Sequence, residues 1–170
     1  MMSLLGKKRP PVVVDDLLRY APAHAAAAAA SRADVGAVRA ALAAPSATGD
    51  PRNLVVEGIA RHMPLRAAVA WTTADPEAPD AWLVRAATEA YLASEARGKG
   101  MAEDLATGQI LDFQQLMANA TRSATRAAEL GPDDPEPIDV LIRTCYARRT
   151  EQLPSTSTSS AGVIPGTSTG

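Results

Sequence analysis

The sequence predicts an all-α protein whose helices are joined in antiparallel hairpins. Three observations carry that expectation. Alanine dominates the apolar fraction while aromatic residues make up only 4% of the chain, and alanine is the strongest helix former. Apolar residues recur at three- and four-residue spacing over several long stretches, the pattern of a helix with one buried face. Three Asp-Pro pairs, Asp50-Pro51, Asp75-Pro76 and Asp134-Pro135, stand ahead of such stretches. There the carboxylate caps free N–H groups and the proline, which lacks one, starts a helix without loss. Small side chains fill a core only where helices approach closely, so these faces suit packed hairpins better than a sandwich of β-branched and aromatic strands.

In chain order, residues 1–14 read as a flexible lead-in with a basic cluster, Lys7-Lys8-Arg9, and the pair Pro10-Pro11. Residues 15–20 read as a short helix stopped by Pro22, and the alanine run at 25–30 as helix or low complexity. Ser31-Arg32-Ala33-Asp34 has the capping-box pattern ahead of Val35, Val38 and Leu42, which predicts a helix over 32–44. Residues 45–49 are loop. Asp50-Pro51 opens a helix over 52–62 with Leu54, Val55, Ile59 and Met63 on one face, and Pro64 breaks it from a second over 64–73. Asp75-Pro76-Glu77 opens a helix to about residue 96 with Trp82, Leu83, Ala86, Ala87, Ala90 and Tyr91 inward, and Arg85 and Glu89 as an outward i,i+4 pair. Gly98 caps its end. The clearest period spans 109–130, through Phe113, Leu116, Met117, Ala120, Ala124, Ala127 and Ala128. Asp134-Pro135-Glu136 opens the last helix, with Ile138, Leu141, Ile142, Cys145 and Tyr146 on its apolar face. Residues 15–150 thus form one helical domain. Residues 151–170, rich in Ser, Thr and Gly, bury too little to offset their ordering entropy and read as a disordered tail.

An internal echo accompanies these elements. Arg66-Ala67-Ala68, Asp75-Pro76-Glu77 and Leu83-Val84-Arg85 recur as Arg126-Ala127-Ala128, Asp134-Pro135-Glu136 and Leu141-Ile142-Arg143, at a shift of 58 to 60 residues. The segment from Ala127-Ala128-Glu129-Leu130 through Gly131-Pro132-Asp133-Asp134-Pro135-Glu136-Pro137 resembles the junction between successive tetratricopeptide repeats, as does Ala74-Asp75-Pro76-Glu77-Ala78-Pro79-Asp80-Ala81-Trp82, with Trp82 at the early aromatic position. The resemblance covers residues 52–149. The shift exceeds the family's usual period of about 34 residues, and its small residue and tyrosine are met only loosely, by Ala86 and Tyr91. The chain is similar to tetratricopeptide-like proteins of high-GC bacteria, which are usually longer. The resemblance implies a short array of stacked helix hairpins, a short or truncated member of that type, and work by binding rather than catalysis.

The chemistry-bearing residues point the same way. His24 and His62 have no second ligand at metal-binding spacing, and Cys145 stands alone, without a disulfide partner. No nucleophile elbow is present. Asp15-Asp16 and Asp133-Asp134 are paired carboxylates, and capping accounts for the second pair. Gly98-Lys99-Gly100 lacks the length and preceding strand of a phosphate loop. No catalytic, cofactor or metal residue is therefore assigned, and the expectation is a non-enzyme without cofactor. The candidate partner-binding residues are Arg85, Arg97, Lys99, Arg122 and Arg126, cations on predicted outward faces or at a glycine-flanked turn. Arg143, Arg148 and Arg149 crowd the last helix, and Trp71 and Trp82 read as core. A formal charge of −2 gives no global basic field for nucleic acid, and no run approaches the about 18 apolar residues of a membrane span. The expectation is a cytoplasmic scaffold or adaptor holding a protein or peptide partner, with a homodimer as a further possibility. A small enzyme or enzyme subunit whose site assembles only in three dimensions is the alternative, followed by a helical nucleic-acid binder.

Overall fold

A computed structural model describes residue 17 and residues 20–44, 50–98 and 107–152. These form seven helices: α1 (Ala21–Ser31), α2 (Val35–Ala43), α3 (Asp50–His62), α4 (Leu65–Ala74), α5 (Pro79–Arg97), α6 (Thr107–Leu130) and α7 (Glu136–Gln152). Among the described residues there is no strand, and the fold is all-α. No described helix is long and apolar enough to cross a membrane. The expected lead-in, most of the expected helix at 15–20, the loop at 45–49 and residues 153–170 of the expected tail lie outside the described residues.

Several boundaries differ from expectation for local reasons. Pro22 lies in the first turn of α1, where no i−4 partner exists for the N–H it lacks; it starts a helix instead of stopping one. Ser31 ends α1, its hydroxyl donating to the Ala28 carbonyl at 2.9 Å. The cap of α2 is Asp34, whose Oδ1 accepts from the Ala37 N–H at 3.0 Å. Asp75 closes α4, its N–H donating to Trp71 O at 2.9 Å, and α5 starts four residues on, with Pro79 in its first turn. Gly98 caps α5 in the left-handed region, at φ 67°, as expected. Residues 151 and 152 belong to α7 rather than to a tail.

The helices are arranged around α5, which packs on α3, α4, α6 and α7. With α6 it forms the most extensive pair. Ala93 meets Phe113 and Met117, Glu89 meets Ser123, and the α5 start meets Gly131 at the α6 end; this order makes the pair an antiparallel hairpin. The α6–α7 pair is antiparallel too, Met117 lying near Ala147 and Thr121 near Thr144. α3 runs parallel to α5 and α7, because Arg52 meets Asp80, Arg61 meets Tyr91, and Glu57 meets Arg143. Pro64 redirects the chain so that α4 packs on α5 and not back along α3. The main core joins α1 alanines, Val38, Leu42, Val55, Val56, Ile59, Trp71, Leu83, Val84, Ala124 and Val140. α1 comes close to α3 because both faces are small: the Cα of Gly58 lies so near that a Cβ would stand 2.8 Å from the Ala23 carbonyl oxygen.

Candidate functional site

The N-terminal ends of α3, α5 and α7 converge on one cation. Arg52, in the first turn of α3, donates to Asp134 Oδ2 at 2.7 Å, to Asp80 Oδ1 at 3.2 Å and to the Leu42 carbonyl at 2.7 Å. It thereby neutralises two helix-start carboxylates and binds a carbonyl just inside the C-terminus of α2. Burial works against its charge, but Asp134 and then Asp80 more than offset this and raise its pKa. Asp134 also accepts from the Glu136 N–H at 3.1 Å, capping α7. Next along the seam, Asn53 Nδ2 donates to Glu136 Oε2 and Asp139 Oδ2, both at 3.3 Å. Glu136 is buried, and that burial raises its pKa. The Asn53 hydrogen bond opposes the shift, and Asp134 adds to it. Further on, Glu57 accepts from Arg61 at 3.0 Å and from Arg143 at 3.1 Å, and Arg143 also donates to Asp139 at 2.6 Å.

This seam forms one wall of a groove of about 520 Å³ between α3, α5, α6 and α7. Ala87, Ala90, Met117 and Val140 contribute its apolar lining, with Glu57, Arg61, Arg143, Glu95 and Tyr91 among its polar groups. Its size suits a small ligand. Its cations, however, are matched within the fold: Arg61 pairs with Glu57 and lies 6.0 Å over the Tyr91 ring, and Arg143 is shared by Glu57 and Asp139.

The structure does not bring the predicted partner-binding cations together. Arg85 and Glu89 form the expected pair, at 3.0 Å, but Glu89 is 1% exposed and points inward. Its second oxygen accepts from Ser123 at 2.8 Å, while Arg85 also donates to Thr72 at 3.2 Å and lies 5.5 Å over Trp82. The expected outward pair is thus a buried lock between α4, α5 and α6, since Ser123 and Thr72 supply partners that helical periodicity does not reveal. Arg97 is half-buried in the last turn of α5, and Lys99 lies outside the described residues. Arg122 is exposed and donates to Asn119. Arg126 is tied to Glu77 at 3.0 Å and Glu129 at 3.3 Å. Trp71 is buried, whereas Trp82 is half-buried and donates to the Pro76 carbonyl at 2.8 Å. His24 and His62 are exposed. Among the described residues no group of His, Cys, Asp and Glu could hold a metal.

The largest departure is on α7. Of its expected inward stripe only Leu141 packs, half-buried, against the main core; the rest faces solvent, with Ile138 48% exposed, Ile142 49% and Tyr146 68%, and Cys145 exposed. With Leu141 they line a shallow apolar depression of about 380 Å³. The buried face is Glu136, Pro137, Val140 and Thr144. α7 turns this narrow face inward because Glu136, Asp139 and Arg143 have their partners on α3, and Thr144 packs at Thr121 on α6. A second helical series in the sequence, 136–140–144, was the available signal; the bulkier stripe outweighed it. No protein family, no curated protein and no solved structure matches this chain.

Proposed function

We propose that the chain is a helical scaffold or adaptor that holds a protein or peptide partner and catalyses no reaction of its own. The observation that carries this reading is the outward apolar stripe of α7. Fully burying a side chain of the Ile, Leu or Tyr kind yields about 1.5–3 kcal/mol, so a partner that covers Ile138, Leu141, Ile142 and Tyr146 together gains several kcal/mol. Clustered large apolar side chains on a rigid helix are the usual anchors of such interfaces. The likeness of residues 127–137 to a tetratricopeptide junction supports the same role, because stacked hairpins grip partners along exposed helix faces.

Affinity capture with the immobilised chain tests the proposal. Partners are retained by the native protein and lost on Ile142→Asp or Tyr146→Asp. Capture that is indifferent to both substitutions contradicts it. A second reading, a small-molecule site, draws on the groove between α3, α5, α6 and α7. It requires ligand-induced thermal stabilisation that Tyr91→Ala or Ala90→Leu removes. The mutual pairing of the cations there favours the first reading.

A further inference from the structure

We propose that α7 is a hinged flap, which swings off α3, α5 and α6 as a unit about residues 131–135 while the other six helices stay folded. The inference goes beyond the adaptor reading and does not depend on it. α7 adds little to the interior that the rest of the chain shares. Among the described residues Val140 is its one buried member of the main core, with Leu141 half-buried against it. Pro137 and Thr144 are buried beside them, while the larger Ile138, Ile142 and Tyr146 face outward. α7 reaches α3 through side-chain hydrogen bonds from Asn53 and Arg143. An element with so few buried apolar contacts opens before the body that carries the core.

The charges show where the molecule parts. Arg143 donates to Glu57 across the boundary at 3.1 Å, yet each group keeps a partner on its own side. Arg143 holds Asp139 within α7 at 2.6 Å, and Glu57 holds Arg61 within α3 at 3.0 Å. Asp134 stands ahead of α7, so it stays with Asp80 on Arg52 when the helix leaves. Opening therefore strands no bare charge in the interior, which is what makes breaking an ordinary buried pair costly. Glu136 favours departure. It is 5% exposed, faces Arg52 and Asn53 of α3, and has Asp134 and Asp139 beside it; burial raises its pKa, and release returns its charge to water. Asn53 gives up two hydrogen bonds of 3.3 Å and regains them from solvent. With α7 away, the groove loses Val140, Arg143, Thr144 and Ala147 from its lining and becomes an open cleft on α3, α5 and α6. α7 thus gates access to that floor.

Native-state hydrogen exchange of the full chain at rising urea concentration tests this. A lone helix of 17 residues is marginal in water, so the amides of a released α7 exchange. Residues 140–147 share one opening, about 100-fold or more commoner than the opening that exposes α5 and α6, and with a smaller urea dependence. Glu136→Gln makes the α7 opening about 2- to 5-fold rarer at pH 7, because the flap then buries no charge. Val140→Cys, in a chain that also carries Cys145→Ser, gives a second readout. Position 140 is 1% exposed when α7 is seated, so its thiol is alkylated at a rate set by the same opening constant. A single exchange isotherm shared by α5, α6 and α7 overturns the proposal. So does protection that fades residue by residue back from Gln152 and leaves 140–144 with α5, since that is fraying of a helix end. Alkylation of the Val140→Cys chain only on global unfolding, or a Glu136→Gln chain whose α7 opens as often as the native one, overturns it as well.

Discussion

Arg52 contributes more to the fold than its place in a helix-opening Asp-Pro-Arg run suggests. It is only 15% exposed, and it holds Asp80 and Asp134 together with the Leu42 carbonyl. Removing it leaves two carboxylates facing each other and a carbonyl without its donor. Arg52→Met therefore costs about 3 kcal/mol in urea unfolding, the scale of breaking a partly buried pair from one side. Converting Asp80 and Asp134 to Asn in the same chain recovers part of it. A loss no larger than that of an ordinary surface substitution would show that the contacts are incidental. Glu136 makes the opposite contribution. Burial, with repulsion from Asp134 and Asp139, holds its pKa above the usual carboxylate range. The folded state then binds this proton more tightly than the unfolded one, so the group's contribution to stability falls as pH rises from the unfolded value through the folded value. At neutral pH it is unfavourable. Glu136→Gln, which still accepts from Asn53, melts higher by about 1–3 °C at pH 7, and calorimetry finds the gap closing below about pH 4. Neither role was legible in the sequence, because Arg52 lies 28 and 82 residues from its carboxylates and Asn53 lies 83 from Glu136.

The elements themselves were far more legible than their faces. Proline and glycine positions mark the break at Pro64 and the cap at Gly98, and the long apolar period marks α6, because these are local effects. Asp75 misled for the same local reason: an acidic residue before proline can close one helix as well as open the next, and Arg39 holds it at 2.7 Å beside α4. The direction of α7 depends on what α3 and α6 offer it, which no periodicity within α7 contains. Close approach is likewise a property of pairs. Gly58 looks like a weak point in α3, where Ala would add up to about 1 kcal/mol through helix propensity alone. Its missing Cβ instead makes room for the Ala23 carbonyl. Gly58→Ala forces α1 off α3 and destabilises by about 1–3 kcal/mol, measured by denaturant midpoint; an increase in stability would contradict the close packing.

At the scale of the molecule, the all-α class follows from alanine content and helical period. The arrangement around α5 does not, since α3 packs on α1, α2 and α5 and reaches α7 through side-chain hydrogen bonds rather than folding back with α4. What distinguishes the whole is a helix that satisfies its charges inward and leaves its larger apolar side chains outward. The chain's one cysteine sits within that stripe, which makes the arrangement directly measurable. Alkylation of native Cys145 proceeds within about tenfold of the rate in the unfolded chain, as for an exposed thiol. Protection that is lifted only by denaturant would place the stripe in the core and contradict the account.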